Sequence, residues 1–266
     1  IRDYKVTGVQ TCALPISAFA EVYRVRYGDE AAIVKKAVRA DGATVTLVQQ
    51  RQAELNRDLL TRVERQRALP GTVPILERRD DFQGCAVVVL ALGAPLDGRV
   101  PGSVVDWLRV CEGLAASCAE CHVVAALGDI RPDNAIRIGD RCLHNDPLIP
   151  GEKRASPGYS AVARYTRPFD PEDRASDLFS LAATCRFAAT GAPPAVGTAA
   201  AEGERDPARL AEAARRDVGA VVERVRSEGH PRAQEALDLL VPALERGLDP
   251  LAPAGTARED RKSTRL

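Results

Sequence analysis

The sequence contains no methionine, few aromatic residues and few lysines. Aromatic residues make up 4% of its 266 residues, and five of its 37 basic residues are lysine. Its longest apolar run, residues 85–92, is far shorter than the about 20 residues that a membrane-spanning helix needs. No secretory signal pattern opens the chain. These absences predict a cytoplasmic protein in which the mid-strand lysine pair at 35–36 invites a chemical explanation.

The two signs of charge are balanced, and the chain is rich in apolar residues. It carries 37 basic and 37 acidic residues, and 45% of its residues are hydrophobic. This apolar fraction can form a core, which argues against an intrinsically disordered chain. The lack of a basic excess argues against sequence-independent nucleic-acid binding. We therefore expect a folded protein that has no nucleic-acid partner.

Both ends of the chain resemble translated sequencing-adaptor DNA. Residues 260–266 back-translate to GAT CGG AAG AGC ACA CGT CTG, and residues 6–16 match the opposite strand of the same adaptor in another frame. We expect residues 1–16 and 260–266 to be artefacts of this origin. We therefore expect the functional residues within 17–259, whose first strand we expect to be cut short.

Apolar periodicity and turn residues divide residues 17–259 into two parts. The first part is rich in predicted strands, with strands in 17–38, 73–76 and 85–92, a helix at 47–69, and turns at 28–29 and 78–81. The second part is mainly helical, with helices at 104–124, 177–190, 207–228 and 231–246 and loops at 128–171 and 191–203. This order predicts an α+β fold with a small β-rich N-lobe at 17–93 and a larger helical C-lobe at 94–259.

The most specific motif follows the first helix of the second part. Asp129 and Asn134 stand five residues apart on one loop, with Pro132 between them. An aspartate and an asparagine at this spacing can orient an attacking hydroxyl and hold a phosphate-bridging metal ion, respectively. Asp146 follows a strand-like segment and can supply a second metal ligand. Asn-Asp-Pro at 145–147 is also a strong turn sequence, which leaves a structural alternative for Asp146.

With these landmarks the chain resembles the protein kinase family, and bacterial Ser/Thr kinases in particular. Lys35 resembles the strand lysine that holds the α- and β-phosphates of ATP, and Glu54 lies at about the spacing of its helical partner. Val22 corresponds to the last position of the Gly-rich loop. Leu90 and Leu92 lie in a segment that resembles the hinge contacting adenine. Lys35 has the alternative of an ordinary strand-end lysine, and Glu54 that of a solvated helix charge.

The resemblance also implies the chemistry of the second part. Asp129 is assigned to the incoming hydroxyl, and Arg131 to the γ-phosphate. Asn134 and Asp146 are assigned to Mg²⁺. Residues 156–161 resemble the end of the activation segment, and residues 176–181 resemble the helix that anchors the catalytic loop. The implied reaction is phosphoryl transfer to serine or threonine hydroxyls of a protein substrate, with ATP and Mg²⁺ as cofactors.

Several positions depart from the family's pattern. Ser17 stands at a glycine position of the phosphate loop, and Gly128 replaces the arginine that usually binds a phosphorylated activation segment. Pro147 follows the metal-binding aspartate position. Ala163 replaces the glutamate of Ala-Pro-Glu, and residues 249–254 lack its arginine partner. Losing both charges of a buried pair costs less than stranding one of them.

These departures keep two alternatives open. A pseudokinase would bind nucleotide without turnover, which Ser17, Pro147 and Ala163 favour. A small-molecule phosphotransferase of the same fold often has His-Gly-Asp where this chain has Leu-Gly-Asp at 127–129. Residues 156–161 and 176–181, however, are more typical of protein kinases.

Cys118, Cys121 and His122 match the C-x-x-C-H pattern of haem attachment. They lie within a predicted apolar helix, in a chain without an export signal, so we interpret the cysteines as core residues. No second pair of cysteines or histidines completes a four-ligand zinc site. The sequence therefore predicts neither haem nor zinc, and reduced thiols throughout.

Overall fold

The computed structural model describes residues 20–27, 30–38, 40, 44–96 and 102–250. The predictions for the two chain ends, for Ser17 and for residues 251–254 lie outside the described residues. The chain divides into two compact units, Ile1–Ala94 and Pro95–Leu266. This division falls within Gly-Ala-Pro at 93–95, a sequence that interrupts regular secondary structure. Each unit has its own architecture.

The first unit is a four-stranded antiparallel sheet with one long helix. The strand order is β1-β2-β4-β3, with β1 at Ala20–Tyr27, β2 at Glu30–Ala37, β3 at Ile75–Phe82, β4 at Cys85–Ala91, and helix α1 at Val45–Ala68. The longest apolar run of the sequence forms β4, which is paired on both sides and buries both Val88 and Val89. An apolar run without alternation suits a strand whose two faces are both covered.

The predicted turn at residues 78–81 is wrong. These charged residues belong to β3, and the chain reverses at Gln83 and Gly84, whose φ angles are +54° and +82°. Two successive residues with positive φ form the tight hairpin turn that matches strand twist. β3 is an edge strand, so its charged side chains reach water without interrupting the ladder.

The second unit is mainly helical. Its elements are α2 (Val104–His122), α3 (Arg174–Thr190), α4 (Ala195–Ala201), α5 (Pro207–Ser227) and α6 (Ala233–Gly247), with the short strands β5 (Ala94–Pro95, spanning the division), β6 (Ala135–Ile138) and β7 (Arg141–His144). The core lies among the helices and contains Trp107, whose indole N–H donates to the carbonyl of Cys185 at 2.8 Å. None of the described helices is long and apolar enough to span a membrane.

The predicted loop at residues 191–203 contains a helix, α4. Its composition, rich in alanine but also in glycine and proline, indicates a loop, and the helix depends on tertiary contacts. The buried Asp217 carboxylate of α5 accepts the backbone N–H groups of Ala195 at 2.8 Å and Val196 at 2.9 Å. These bonds satisfy the first donors of α4, and a negative charge is favourable at a helix N-terminus.

Candidate functional site

The loop after α2 brings together the two residues of the most specific motif. The Asn134 amide nitrogen donates to the Asp129 carbonyl at 3.0 Å and to its carboxylate Oδ2 at 2.8 Å. Asp129 is 6% exposed and Asn134 is 5% exposed. A short 3₁₀ turn at Pro132–Asn134 makes this approach possible within six residues. The spacing alone predicted this loop, and the structure shows its hydrogen bonds.

A serine from the predicted activation-segment region at 156–161 holds the other oxygen of Asp129. The Ser156 hydroxyl donates to Asp129 Oδ1 at 2.5 Å, and Arg131 Nε lies 3.5 Å from Oδ2. Both carboxylate oxygens are therefore held, which gives Asp129 a defined orientation. The sequence pattern placed Ser156 in this segment but did not indicate the bond. Because Ser156 is buried and bonded, it is not an exposed phosphorylation site.

The backbone just before Asp129 is anchored by α3. The fully buried Asp177 carboxylate accepts the N–H groups of Leu127 at 2.5 Å and Gly128 at 2.7 Å. Its Oδ2 also lies 2.9 Å from His122 Nε2. The expected anchoring role of residues 176–181 is confirmed for this aspartate. Two backbone bonds to one buried carboxylate fix the loop strongly, since a charged acceptor strengthens each bond.

Gly128, the departure from the family's arginine, has a structural reason. Its φ is +87°, a conformation that favours glycine, and a Cβ there would lie 2.5 Å from Cε2 of Phe169. The Phe169 ring in turn packs under the buried Arg164 guanidinium, 5.3 Å from the ring centroid. Arg164 donates to the carbonyls of Arg154 and Arg167 at 2.8 and 3.1 Å. An aromatic contact therefore occupies the space that a side chain at 128 would need.

Oxygen donors suited to a divalent cation lie at one end of the β6–β7 hairpin. Ala135 pairs with His144, and the Asn145 N–H donates to the Asn134 carbonyl at 2.8 Å, which places Asn134 beside residues 145 and 146. Because Asn134 directs its amide nitrogen to Asp129, its oxygen is the atom that suits a cation. The Asn145 side-chain oxygen is buried without a hydrogen-bond partner among the described residues. Mg²⁺ prefers oxygen ligands, so these residues fit that ion.

Asp146 itself is half-buried and has a positive φ of +52°. A non-glycine residue in this conformation is uncommon and often lies at a functional site or a turn. The preceding His144 is fully buried, and burial lowers its pKa to about 4. His144 Nε2 contacts the Leu114 carbonyl at 3.2 Å, so this histidine is a neutral core residue.

In the first unit, strand register places three predicted residues on one face of the sheet. Val22 pairs with Lys35 across β1 and β2, and Ile33 pairs with Leu90 across β2 and β4. Directly opposite residues point to the same face, as do residues two apart. Val22, Lys35 and Leu90 therefore share a face, and Leu92 follows the end of β4. Lys35 is 9% exposed.

Glu54 is exposed on α1. The orientation of this helix does not support an ion pair between Glu54 and Lys35, so that pair stays a prediction. The helix contacts the sheet region through Gln52, bonded to Val38 and Ala40, and through Asn56, which accepts the Ala86 N–H of β4 at 2.9 Å. Glu54 is two positions from each of these residues, or about 200° around the helix. Its side chain therefore points away from the face that Gln52 and Asn56 define, which sequence spacing did not reveal.

Comparison with known proteins supports the fold. No family model matches the chain, and no curated protein is significantly similar to it in sequence. Among solved structures, the Mycobacterium tuberculosis PknI kinase domain is similar, with a TM-score of 0.51, 19% identity, and coverage of 95% of this chain and 96% of that chain. A singly substituted variant of that domain has a TM-score of 0.52, 19% identity and coverage of 94% and 95%, respectively. With its small sheet unit and its larger helical unit, this α+β chain has a protein kinase-like fold.

Proposed function

We propose that this chain transfers the γ-phosphoryl group of ATP to serine or threonine hydroxyls of a protein substrate in the cytoplasm. The observation that supports this proposal most is the geometry of Asp129, whose buried carboxylate is oriented by Asn134 and Ser156. Phosphoryl transfer requires little covalent chemistry from a protein, so positioning and charge stabilisation carry the rate. An oriented carboxylate can position the incoming hydroxyl and accept its proton.

The roles in the second unit follow from this geometry. Asp129 would orient the substrate hydroxyl and accept its proton. Arg131, beside Asp129, would face the γ-phosphate, where its guanidinium can stabilise charge. Asn134 and Asp146 would hold Mg²⁺, which neutralises phosphate charge when bound. Each residue is assigned for its chemistry and its place in the loop or hairpin.

The roles in the first unit belong to the same proposal. Lys35 would hold the α- and β-phosphates, while Val22, Leu90 and Leu92 would contact the nucleotide from the sheet. Pairing of Lys35 with Glu54 requires α1 to present its exposed face to the sheet. A buried lysine on a strand is uncommon, since burying an ammonium group is costly.

The experiment compares wild type with Asp129→Asn and Asp146→Ala. Transfer of radiolabel from ATP to a general protein substrate is measured together with nucleotide binding, with and without Mg²⁺. We expect Asp129→Asn to lose at least about 10²-fold in transfer and to keep nucleotide affinity, because it removes a proton acceptor and not a phosphate contact. Asp146→Ala should weaken the Mg²⁺-dependent part of nucleotide binding.

Asp133→Asn is the matched control, because Asp133 is an aspartate of the same loop. Its carboxylate lies 3.4 Å from Arg131, and no bond between Asp133 and Asp129 is found among the described residues. It should change transfer by less than about tenfold. Wild type that binds nucleotide without transfer would support the pseudokinase alternative. Wild type that neither binds nor transfers would contradict the proposal while leaving the fold unaffected.

A further inference from the structure

A second group of side chains of the kinds that bind metal ions lies between α2 and α3, next to the backbone that precedes Asp129. Cys118 and His122 stand four residues apart on α2, and Asp177 faces them from α3. His122 Nε2 lies 3.4 Å from Cys118 Sγ and 2.9 Å from Asp177 Oδ2. All three ligand atoms lie within 4.8 Å of one another. This group contains neither Asn134 nor Asp146.

We propose that Cys118, His122 and Asp177 form a binding site for a divalent transition metal, with Zn²⁺ as the ion that suits the donors. Thiolate, imidazole and carboxylate are the three kinds of side chain that bind zinc. Tetrahedral zinc with bonds of about 2.3 Å to sulfur and about 2.0 Å to nitrogen and oxygen separates its ligand atoms by roughly 3.3–3.6 Å. The sulfur–nitrogen separation of 3.4 Å lies within this range, and the nitrogen–oxygen separation of 2.9 Å is a few tenths of an ångström shorter.

A fourth ligand would come from the solvent side of this group. The His122 side chain is 15% exposed, whereas Asp177 is fully buried, so the site is closed on one side and reaches solvent on the other. A water molecule can complete the coordination, as in zinc sites with three protein ligands. Asp177 keeps its Oδ1 bond to the Gly128 N–H, and a second lone pair on Oδ2 can face the ion.

Binding of the ion releases one proton from the group. The Cys118 thiol releases its proton to solvent as the sulfur–metal bond forms. His122 binds the ion through the lone pair of Nε2, and its ring proton then lies on Nδ1. Burial and the nearby Asp177 charge raise the pKa of the Cys118 thiol. A bound cation opposes both effects, since coordinating thiols are deprotonated by the metal.

The sequence pattern alone did not predict this site. C-x-x-C-H groups Cys118 with Cys121, and the expectation of no zinc rested on the lack of a second such pair. The structure selects Cys118 and His122 from that motif and adds Asp177, which is 55 positions beyond His122. Because the same aspartate holds the Leu127 and Gly128 backbone, an ion there would tie α2 and α3 to the catalytic loop. The proposal does not depend on phosphoryl transfer.

The test measures metal binding by the full chain without nucleotide. The protein is stripped with a chelator and titrated with Zn²⁺, and in parallel with Co²⁺, whose thiolate complexes have a characteristic charge-transfer absorption. We expect one ion per chain and this absorption in the Co²⁺ complex. Cys118→Ala should lose the absorption and bind Zn²⁺ at least about tenfold more weakly. Zn²⁺ should raise the melting temperature of wild type and not that of Cys118→Ala.

Cys111→Ala is the matched control, because Cys111 is also buried on α2 but lies outside the group. It should retain wild-type stoichiometry, affinity and absorption. Circular dichroism without metal checks the fold of each variant, and His122→Gln repeats the test if Cys118→Ala does not fold. Absence of saturable binding by wild type would overturn the proposal, as would unchanged binding in the folded ligand variant. The charge-transfer band also distinguishes this site from oxygen ligands at Asp146.

Discussion

The two units hold their candidate residues by different means. In the second unit, hydrogen bonds among buried groups orient Asp129, through Asn134, Ser156 and the Asp177 anchor. In the first unit, strand register places Lys35 on the same sheet face as Val22, and Glu54 is exposed. Buried polar networks are costly to leave half satisfied, whereas exposed charges contribute little to stability. We therefore expect substitutions around Asp129 in the second unit to lower both the stability and the activity of the protein.

The largest expected effect comes from removing the anchor. Asp177→Ala leaves the N–H groups of Leu127 and Gly128 buried without an acceptor, so we expect a loss of about 3–5 kcal/mol in the free energy of unfolding. Glu54→Ala, an exposed helix position in the first unit, should change it by less than about 0.5 kcal/mol. Urea unfolding measures both. Equal losses in the two variants would contradict the comparison.

Acid should weaken the second unit through His144. Burial lowers the pKa of His144 from 6.5 to about 4, so the folded state binds fewer protons than the unfolded state. Its contribution is therefore fully present above pH 6.5 and is lost as pH falls from 6.5 towards 4, by up to about 3 kcal/mol. His144→Gln should flatten this part of the pH profile of unfolding. His230→Gln, at an exposed histidine, should leave the profile unchanged.

The crowding around the loop that carries Asp129 can be measured with two glycines of the second unit. Gly128→Ala adds a methyl group close to Phe169 at a positive φ, and we expect it to cost about 2–3 kcal/mol. Gly139→Ala has a φ of +58° with no atom within 4 Å of the new Cβ, and should cost about 1 kcal/mol. If the two losses are equal, Phe169 does not restrict position 128.

A cycle with Phe169→Ala sharpens this test. Once the ring is removed, the extra cost of Gly128→Ala over Gly139→Ala should disappear, because the two positions contact each other directly. The coupling energy in urea unfolding reports the contact separately from the cost of losing the ring. Additive effects would indicate that backbone conformation alone disfavours a side chain at 128.

The smallest expected effect concerns the lost ion pair of the family's pattern. Ala163, at the glutamate position, and Arg246, on α6, both line a cavity of about 90 Å³ in the second unit. The sequence pattern indicated no arginine in residues 249–254, and Arg246 precedes that segment. Ala163→Glu can pair with Arg246 and should stabilise the unit by about 0.5 kcal/mol at low salt. The gain is small because Arg246 is exposed and because Asp249, which has the same charge as the new glutamate, also lines the cavity. Ala163→Gln should show no such salt-dependent gain.

Local patterns predicted much of the fold and part of the site. The predicted helices at 47–69, 104–124, 177–190, 207–228 and 231–246 agree with α1, α2, α3, α5 and α6 to within about three residues at each end. The errors at 78–81 and 191–203 share a cause. Charged residues are tolerated on an edge strand such as β3, and α4 needs the distant Asp217 carboxylate to satisfy its first N–H groups. Neither condition is visible in a local window of sequence.

The sequence by itself determined the order of the elements and the short loop that joins Asp129 to Asn134, because both depend on residues that are near one another along the chain. Only the tertiary structure decided which groups complete the site. The Ser156 hydroxyl reaches Asp129 across 27 positions, and Asp177 reaches Leu127 across 50. The side of α1 that faces the sheet was decided in the same way, by Gln52 and Asn56. These contacts arise from packing between distant elements, which no local pattern specifies.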